Sequence, residues 1–132
     1  MVNQDEPGDF SARKATAMIP ARDVGRAVRW YEDMLGIEAR SADDYGAVLA
    51  LNGVEAFIYA SDFAGTAAHT ILTFSTADLA ADMKALRERG VVFIDYDLPN
   101  LRTEDGMATF GEVKNSWCND SEGNILGFVQ GM

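Results

Sequence analysis

The chain is short of the residues that staple or metallate small proteins: among 132 residues it has one cysteine, Cys118, and one histidine, His69. A single cysteine excludes an intrachain disulfide and a Cys-x-x-Cys pair, and it fits a reducing compartment. Its expected place is a strand, as a small, inert core residue. No apolar run reaches the roughly 18 residues needed to cross a bilayer, and the N-terminus lacks the charged-then-apolar pattern of a signal peptide. A soluble, cytoplasmic protein is expected. The glycines form neither G-x-G-x-x-G nor a phosphate-binding loop, and no Gly-x-Ser-x-Gly elbow occurs. Positive charge is also scarce, with 11 basic residues against 21 acidic and a net charge of −10. Such a field repels nucleic-acid phosphates and anionic membranes, so neither is an expected partner. Neutral or cationic small molecules are the better guests, although acidity also serves plain solubility.

What the chain does have is apolar content, 48% over a length that buries one core. It also repeats itself. Asp23-Val24-Gly25-Arg26-Ala27-Val28 runs to Gly36, and Asp78-Leu79-Ala80-Ala81-Asp82-Met83 runs to Gly90. The aspartates lie about 55 residues apart, a spacing typical of a duplicated structural unit. Each segment follows a short apolar strand, and each aspartate suits a helix N-cap. Val24, Ala27, Val28, Tyr31 and Leu35 form one apolar stripe, and Leu79, Met83 and Leu86 another. Trp30-Tyr31 therefore reads as core packing.

The spacing predicts strands at 15–21, 37–40, 45–51 and 54–60, the last two joined by the Asn52-Gly53 hairpin turn. In the second half it predicts strands at 69–76, 91–96, 108–119 and 124–130, with a turn at Asp120-Ser121-Glu122-Gly123. A long loop, 97–106, is a candidate lid. The expected fold is α+β: two tandem βαβββ modules, about 14–62 and 67–131, in one domain over 14–132, forming a concave, barrel-like mixed sheet with helices outside. Residues 1–13 read as a flexible N-terminal arm.

Three segments carry a family resemblance: Met18-Ile19-Pro20-Ala21-Arg22-Asp23-Val24, Arg29-Trp30-Tyr31-Glu32-Asp33-Met34-Leu35-Gly36, and Asp120-Ser121-Glu122-Gly123-Asn124. Over about 14–130 the chain resembles the vicinal oxygen chelate superfamily, which includes glyoxalases, extradiol dioxygenases, epimerases and antibiotic-binding resistance proteins. Fold does not fix reaction, and this one hosts enzymes and pure binders. In enzyme members the resemblance implies four inward strand positions holding a divalent metal through His, Gln or Glu. Here those positions fall on Thr16, Phe57, Ile71 and Gly127, none of them a metal donor.

The expectation is thus a protein without a cofactor. A displaced divalent-metal site on Glu55 and His69, each two residues from a matched position, is the alternative, and it lacks a third protein ligand. The same pair are the candidate catalytic residues, with Glu55 raised in pKa by an apolar cavity to act as a base, or pairing with a cationic guest. Strand parity assigns Thr16, Met18, Phe57, Tyr59, Ile71 and Thr73 to ligand binding, with Asn115 and Tyr45 as further candidates, and the family resemblance implies that Trp117 and Gly127 also turn inward while Leu126 and Phe128 face the helices. Such a cavity suits a planar or hydrophobic small molecule. Two functions fit. One is a metal-independent binder sequestering a cationic or aromatic compound; the bleomycin-resistance branch implies an acidic homodimer of this kind. The other is a glyoxalase- or dioxygenase-like lyase, isomerase or oxygenase acting on a small carbonyl or aromatic substrate.

Overall fold

Both helices begin and end where the repeated segments say they should. In a computed structural model that describes residues 6–132, α1 spans Val24–Leu35 and α2 spans Leu79–Glu88. The Asp23 side chain accepts from Arg26 N at 2.9 Å, and that of Asp78 from Ala81 N at 3.1 Å, each satisfying a free first-turn donor. Gly36 closes α1 in the left-handed region at φ 71°, where a side chain would be strained. Val24, Ala27 and Tyr31 are buried on α1, as are Leu79, Met83 and Leu86 on α2.

Ten strands complete the described chain: β1 Thr16–Ala21, β2 Ala39–Ala42, β3 Gly46–Leu51, β4 Val54–Ala60, β5 Thr70–Ser75, β6 Asp97–Leu98, β7 Leu101–Arg102, β8 Met107–Phe110, β9 Val113–Asn119 and β10 Ile125–Gln130. One four-stranded sheet has the order β1-β4-β3-β2 and another β5-β10-β9-β8. In each, the strand before the helix pairs in parallel with the last strand of its module, and the others are antiparallel. This is the expected βαβββ duplication, an α+β fold in two sheets. The modules share one apolar core, where Ile19, Ala56 and Ile58 of the first join Cys118, Leu126 and Phe128 of the second. Among the described residues no helix is long and apolar enough to cross a membrane.

Four local expectations are corrected. The strand expected at 37–40 begins at Ala39, because Ile37 N still donates to Tyr31 O at 3.1 Å in the helix cap. Residues 91–96 form no strand beyond a single bridge, Phe93 to Cys118. There the Asp95 carboxylate takes over, accepting from the Thr103 hydroxyl at 2.7 Å and Gly106 N at 2.8 Å. The loop at 97–106 contains the β6–β7 hairpin, and the strand expected at 108–119 is cut in two at Gly111, whose φ of 64° turns the chain. Of the N-terminal arm, residues 1–5 lie outside the described residues. Residues 6–13 form turns, with Asp9 N on Glu6 O, Arg13 N on Phe10 O, and the Arg13 guanidinium 4.4 Å from the Phe10 ring.

Candidate functional site

The first sheet has one face turned to the helices and one turned away. Ile19, Ala21, Ala56 and Ile58 are buried on the helix side, so alternation leaves Thr16, Met18, Glu55, Phe57 and Tyr59 on the other. Register brings them together, pairing Thr16 with Glu55, Met18 with Phe57, and Phe57 with Val48 of β3. Phe57 leans over Gly46, where a Cβ would sit only 2.2 Å from its ring Cζ. Glycine at this point makes room for the aromatic ring. Met18 is 51% exposed and Tyr45 82%, so the face is open within one chain.

Glu55 is not the apolar-cavity base expected from the sequence. Its carboxylate accepts from Lys14 Nζ at 2.5 Å on one oxygen and from an Arg40 guanidinium nitrogen on the other. The Lys14 bond first, then the Arg40 bond, hold its pKa below the usual carboxylate value, the opposite of the expected direction. His69 lies in a bend just before β5, exposed, and its Nδ1–H tautomer donates to the Thr70 carbonyl at 3.0 Å. No hydrogen bond links it to Glu55, whose partners are the two cations.

On the second sheet, β10 places Gly127 between Thr73 of β5 and Trp117 of β9. A Cβ on Gly127 would stand 2.8 Å from Thr73 Oγ1, 3.3 Å from Thr70 Cγ2 and 3.5 Å from Trp117 Nε1. Tyr96 meets the indole of Trp117 edge-on, ring centroids 5.4 Å apart, which ties the base of the 97–106 loop to this face. The expectation that His69, Ile71 and Thr73 line up by parity fails at a bulge. The register shifts between Ile125 and Leu126, so Thr70 joins Thr73 beside Gly127, while Ile71 packs against the apolar core. Leu126 and Phe128 face the helices as expected. The proposed lining residues therefore form two clusters on two sheets, Thr16, Met18, Phe57 and Tyr59 on one, Thr73, Trp117 and Gly127 on the other.

The residues at the four family metal positions do not fit a metal. Thr16, Phe57, Ile71 and Gly127 offer one hydroxyl, two hydrocarbon side chains and none, where a divalent transition metal takes imidazole, carboxylate or thiolate. Among the described residues, no three His, Cys, Asp or Glu side chains converge elsewhere. The Cys118 thiol is fully buried, and burial, with help from Asp120, pushes its pKa up to about 12.

Sequence reasoning missed the clasp between the modules. The turn at 120–124, read as a hairpin turn and a family motif but not as a contact, reaches across to α1. Tyr31 donates to Asp120 Oδ2 at 2.7 Å, and Asn124 Nδ2 donates to Pro20 O at 2.8 Å. Glu122 accepts from Arg26 Nε at 2.8 Å and from Asp23 N at 2.9 Å. Burial pushes the Glu122 carboxyl up, but Arg26, the Asp23 N–H and the Ser121 hydroxyl outweigh it and hold the pKa at about 2. The available signal was an Asp, a Glu and an Asn within five residues of a turn that needs only its glycine.

Two βαβββ modules with their apolar faces merged and their other sheet faces open define a paired-module protein. The chain belongs to the Glyoxalase/Bleomycin resistance protein/Dioxygenase superfamily, whose sequence pattern matches residues 15–128. No curated protein matches it. Solved structures share the fold. TnmS3, an antibiotic binding protein from Streptomyces sp. CB03234, is 21% identical with a TM-score of 0.66, covering 90% of this chain and 95% of its own. A glyoxalase/bleomycin resistance protein from Catenulispora acidiphila is 24% identical with a TM-score of 0.64, covering 89% and 96%. A glyoxalase/bleomycin resistance protein/dioxygenase from Alicyclobacillus acidocaldarius is 18% identical with a TM-score of 0.69, covering 96% and 93%.

Proposed function

We propose that this protein is a metal-independent binder that sequesters a planar aromatic small molecule, acting as a homodimer. The carrying observation is an aromatic lining, Phe57 with Tyr59 on one sheet and Trp117 with Tyr96 at the other, beside four family metal positions, Thr16, Phe57, Ile71 and Gly127, that carry no metal donor. Aromatic side chains offer a ligand ring large, rigid contact area, and the single hydroxyls of Thr16 and Thr73 supply orientation. A second copy would cover what one chain leaves open, which is the role proposed for the exposed Met18 and Tyr45. The antibiotic-binding description of TnmS3 lends support to this class of ligand.

The Lys14–Glu55–Arg40 cluster argues against Glu55 as a general base and against its recruiting a cationic guest unaided. Its formal charge is one positive, despite the acidity of the whole chain. Elemental analysis of purified protein tests the metal-independent reading. The expected result is substoichiometric transition metal; a stoichiometric metal lost on substituting Glu55 and His69 would overturn it.

A further inference from the structure

The two ends of the duplicated fold are not filled alike. Matching Asp23 to Asp78 matches Tyr31 to Leu86 and Arg26 to Ala81. At the first end, the long turn at 120–124 packs its carboxylates and amide against α1 and β1. At the second, the corresponding turn is only Asn52-Gly53, and Leu86 and Ala81 offer it no polar partner. What remains is a cleft of about 790 Å³ between the β3–β4 hairpin, the end of α1, β5 and α2. Its size falls within the range of small-molecule sites. Leu35, Leu51, Leu72, Phe74 and Leu86 form apolar walls. Thr73 is the one residue it shares with the expected site.

Polar groups stand at two separated points of the α2 rim. Arg89 donates through Nη1 to Met34 O at 2.7 Å, and among the described residues it makes no ion pair. Its guanidinium has donors to spare. Two helical turns away, about 10 Å along the axis, Asp82 already accepts from the Thr76 hydroxyl. A negative group in the cleft would meet the Asp82 carboxylate at one end and the spare donors of Arg89 at the other.

The geometry points to a second ligand site in this cleft, for an amphipathic organic anion whose aromatic or aliphatic body lies between the leucines and whose carboxylate or sulfonate pairs with Arg89. This site shares only Thr73 with the Phe57 and Trp117 faces of the proposed function, and neither assignment needs the other.

The probe is 1-anilinonaphthalene-8-sulfonate, with uncharged N-phenyl-1-naphthylamine as its comparison, followed by fluorescence titration of the folded full chain. Arg89→Gln, an exposed substitution, should weaken the sulfonate dye at least about fivefold and leave the neutral dye unchanged, since only the charged contact is lost. Ala85→Trp, which fills the cleft, should abolish the Arg89-dependent part of sulfonate binding. Sulfonate binding that Arg89→Gln or Ala85→Trp leaves unchanged would overturn the site. So would dimer formation that expels the dye, because a second copy of the chain would then be the occupant.

Discussion

Tyr31 and Asp120 lie 89 residues apart in sequence and are joined by a buried 2.7 Å hydrogen bond. Tyr31 is fully buried, and its phenol pKa is raised by desolvation first and by the Asp120 charge second, so it stays a donor across the working pH range. Tyr31→Phe keeps the ring in the core and removes only the hydroxyl. The expected cost is about 1.5–3 kcal/mol, the range for a buried hydrogen bond to a charged group. Urea unfolding measures it, and an unchanged midpoint would mean that this hydrogen bond adds no net stability to the junction.

Glu122 gives the junction a pH signature. Its carboxyl lies at about 2 in the folded chain against an ordinary 4.5, so the charged form is the one the fold favours. That contribution is complete above 4.5 and is lost as the pH falls toward 2. The difference in Tm between the native chain and Glu122→Gln should therefore be largest near neutrality and shrink through this window. A difference independent of pH would contradict the assigned ion pair with Arg26.

Gly46 is the steric test of the first sheet face. A Cβ there would lie 2.2 Å from Phe57 Cζ and 2.9 Å from the Ile58 carbonyl oxygen, and the second contact is with backbone. Gly46→Ala should cost about 1–3 kcal/mol and displace the Phe57 ring. Denaturant unfolding reads the first effect, and the ring chemical shifts of Phe57 the second. A neutral substitution would show that β3 and β4 are spaced more widely than described.

Ser116 makes the opposite prediction. It is fully buried on β9, and its hydroxyl has no hydrogen-bond partner among the described residues. Ser116→Ala removes an uncompensated polar atom, so it should be neutral or stabilising by about 1 kcal/mol. A loss of stability measured by calorimetry would reveal a partner such as an ordered water.

The fold was legible because it is written twice. An aspartate cap, an apolar stripe at helical spacing and a closing glycine mark each helix, and the Asn52-Gly53 turn marks a hairpin, all of them short-range signals. The site was only half legible. Alternation placed Thr16, Met18, Phe57 and Tyr59 together because β1 and β4 pair without interruption. It failed at Ile71, because a bulge is a property of two paired strands and one strand's pattern does not reveal it. Alternation put Glu55 on the right face, but its surroundings were not legible. Arg40 comes from β2, at the far edge of the sheet, and Lys14 from the segment before β1, so both cations reach the carboxylate only in three dimensions.

Ligand binding without metal can be read from a thermal-shift series on protein dialysed against EDTA. The probes are planar aromatic compounds, the cation proflavine and neutral anthraquinone among them, each with and without added zinc, nickel or manganese. Ligand that binds only the folded state raises Tm by mass action. A rise is expected with at least one planar probe, equal with and without metal and lost in Trp117→Ala and in Phe57→Ala. A rise that appears only when metal is restored, or no rise with any planar aromatic, would contradict it.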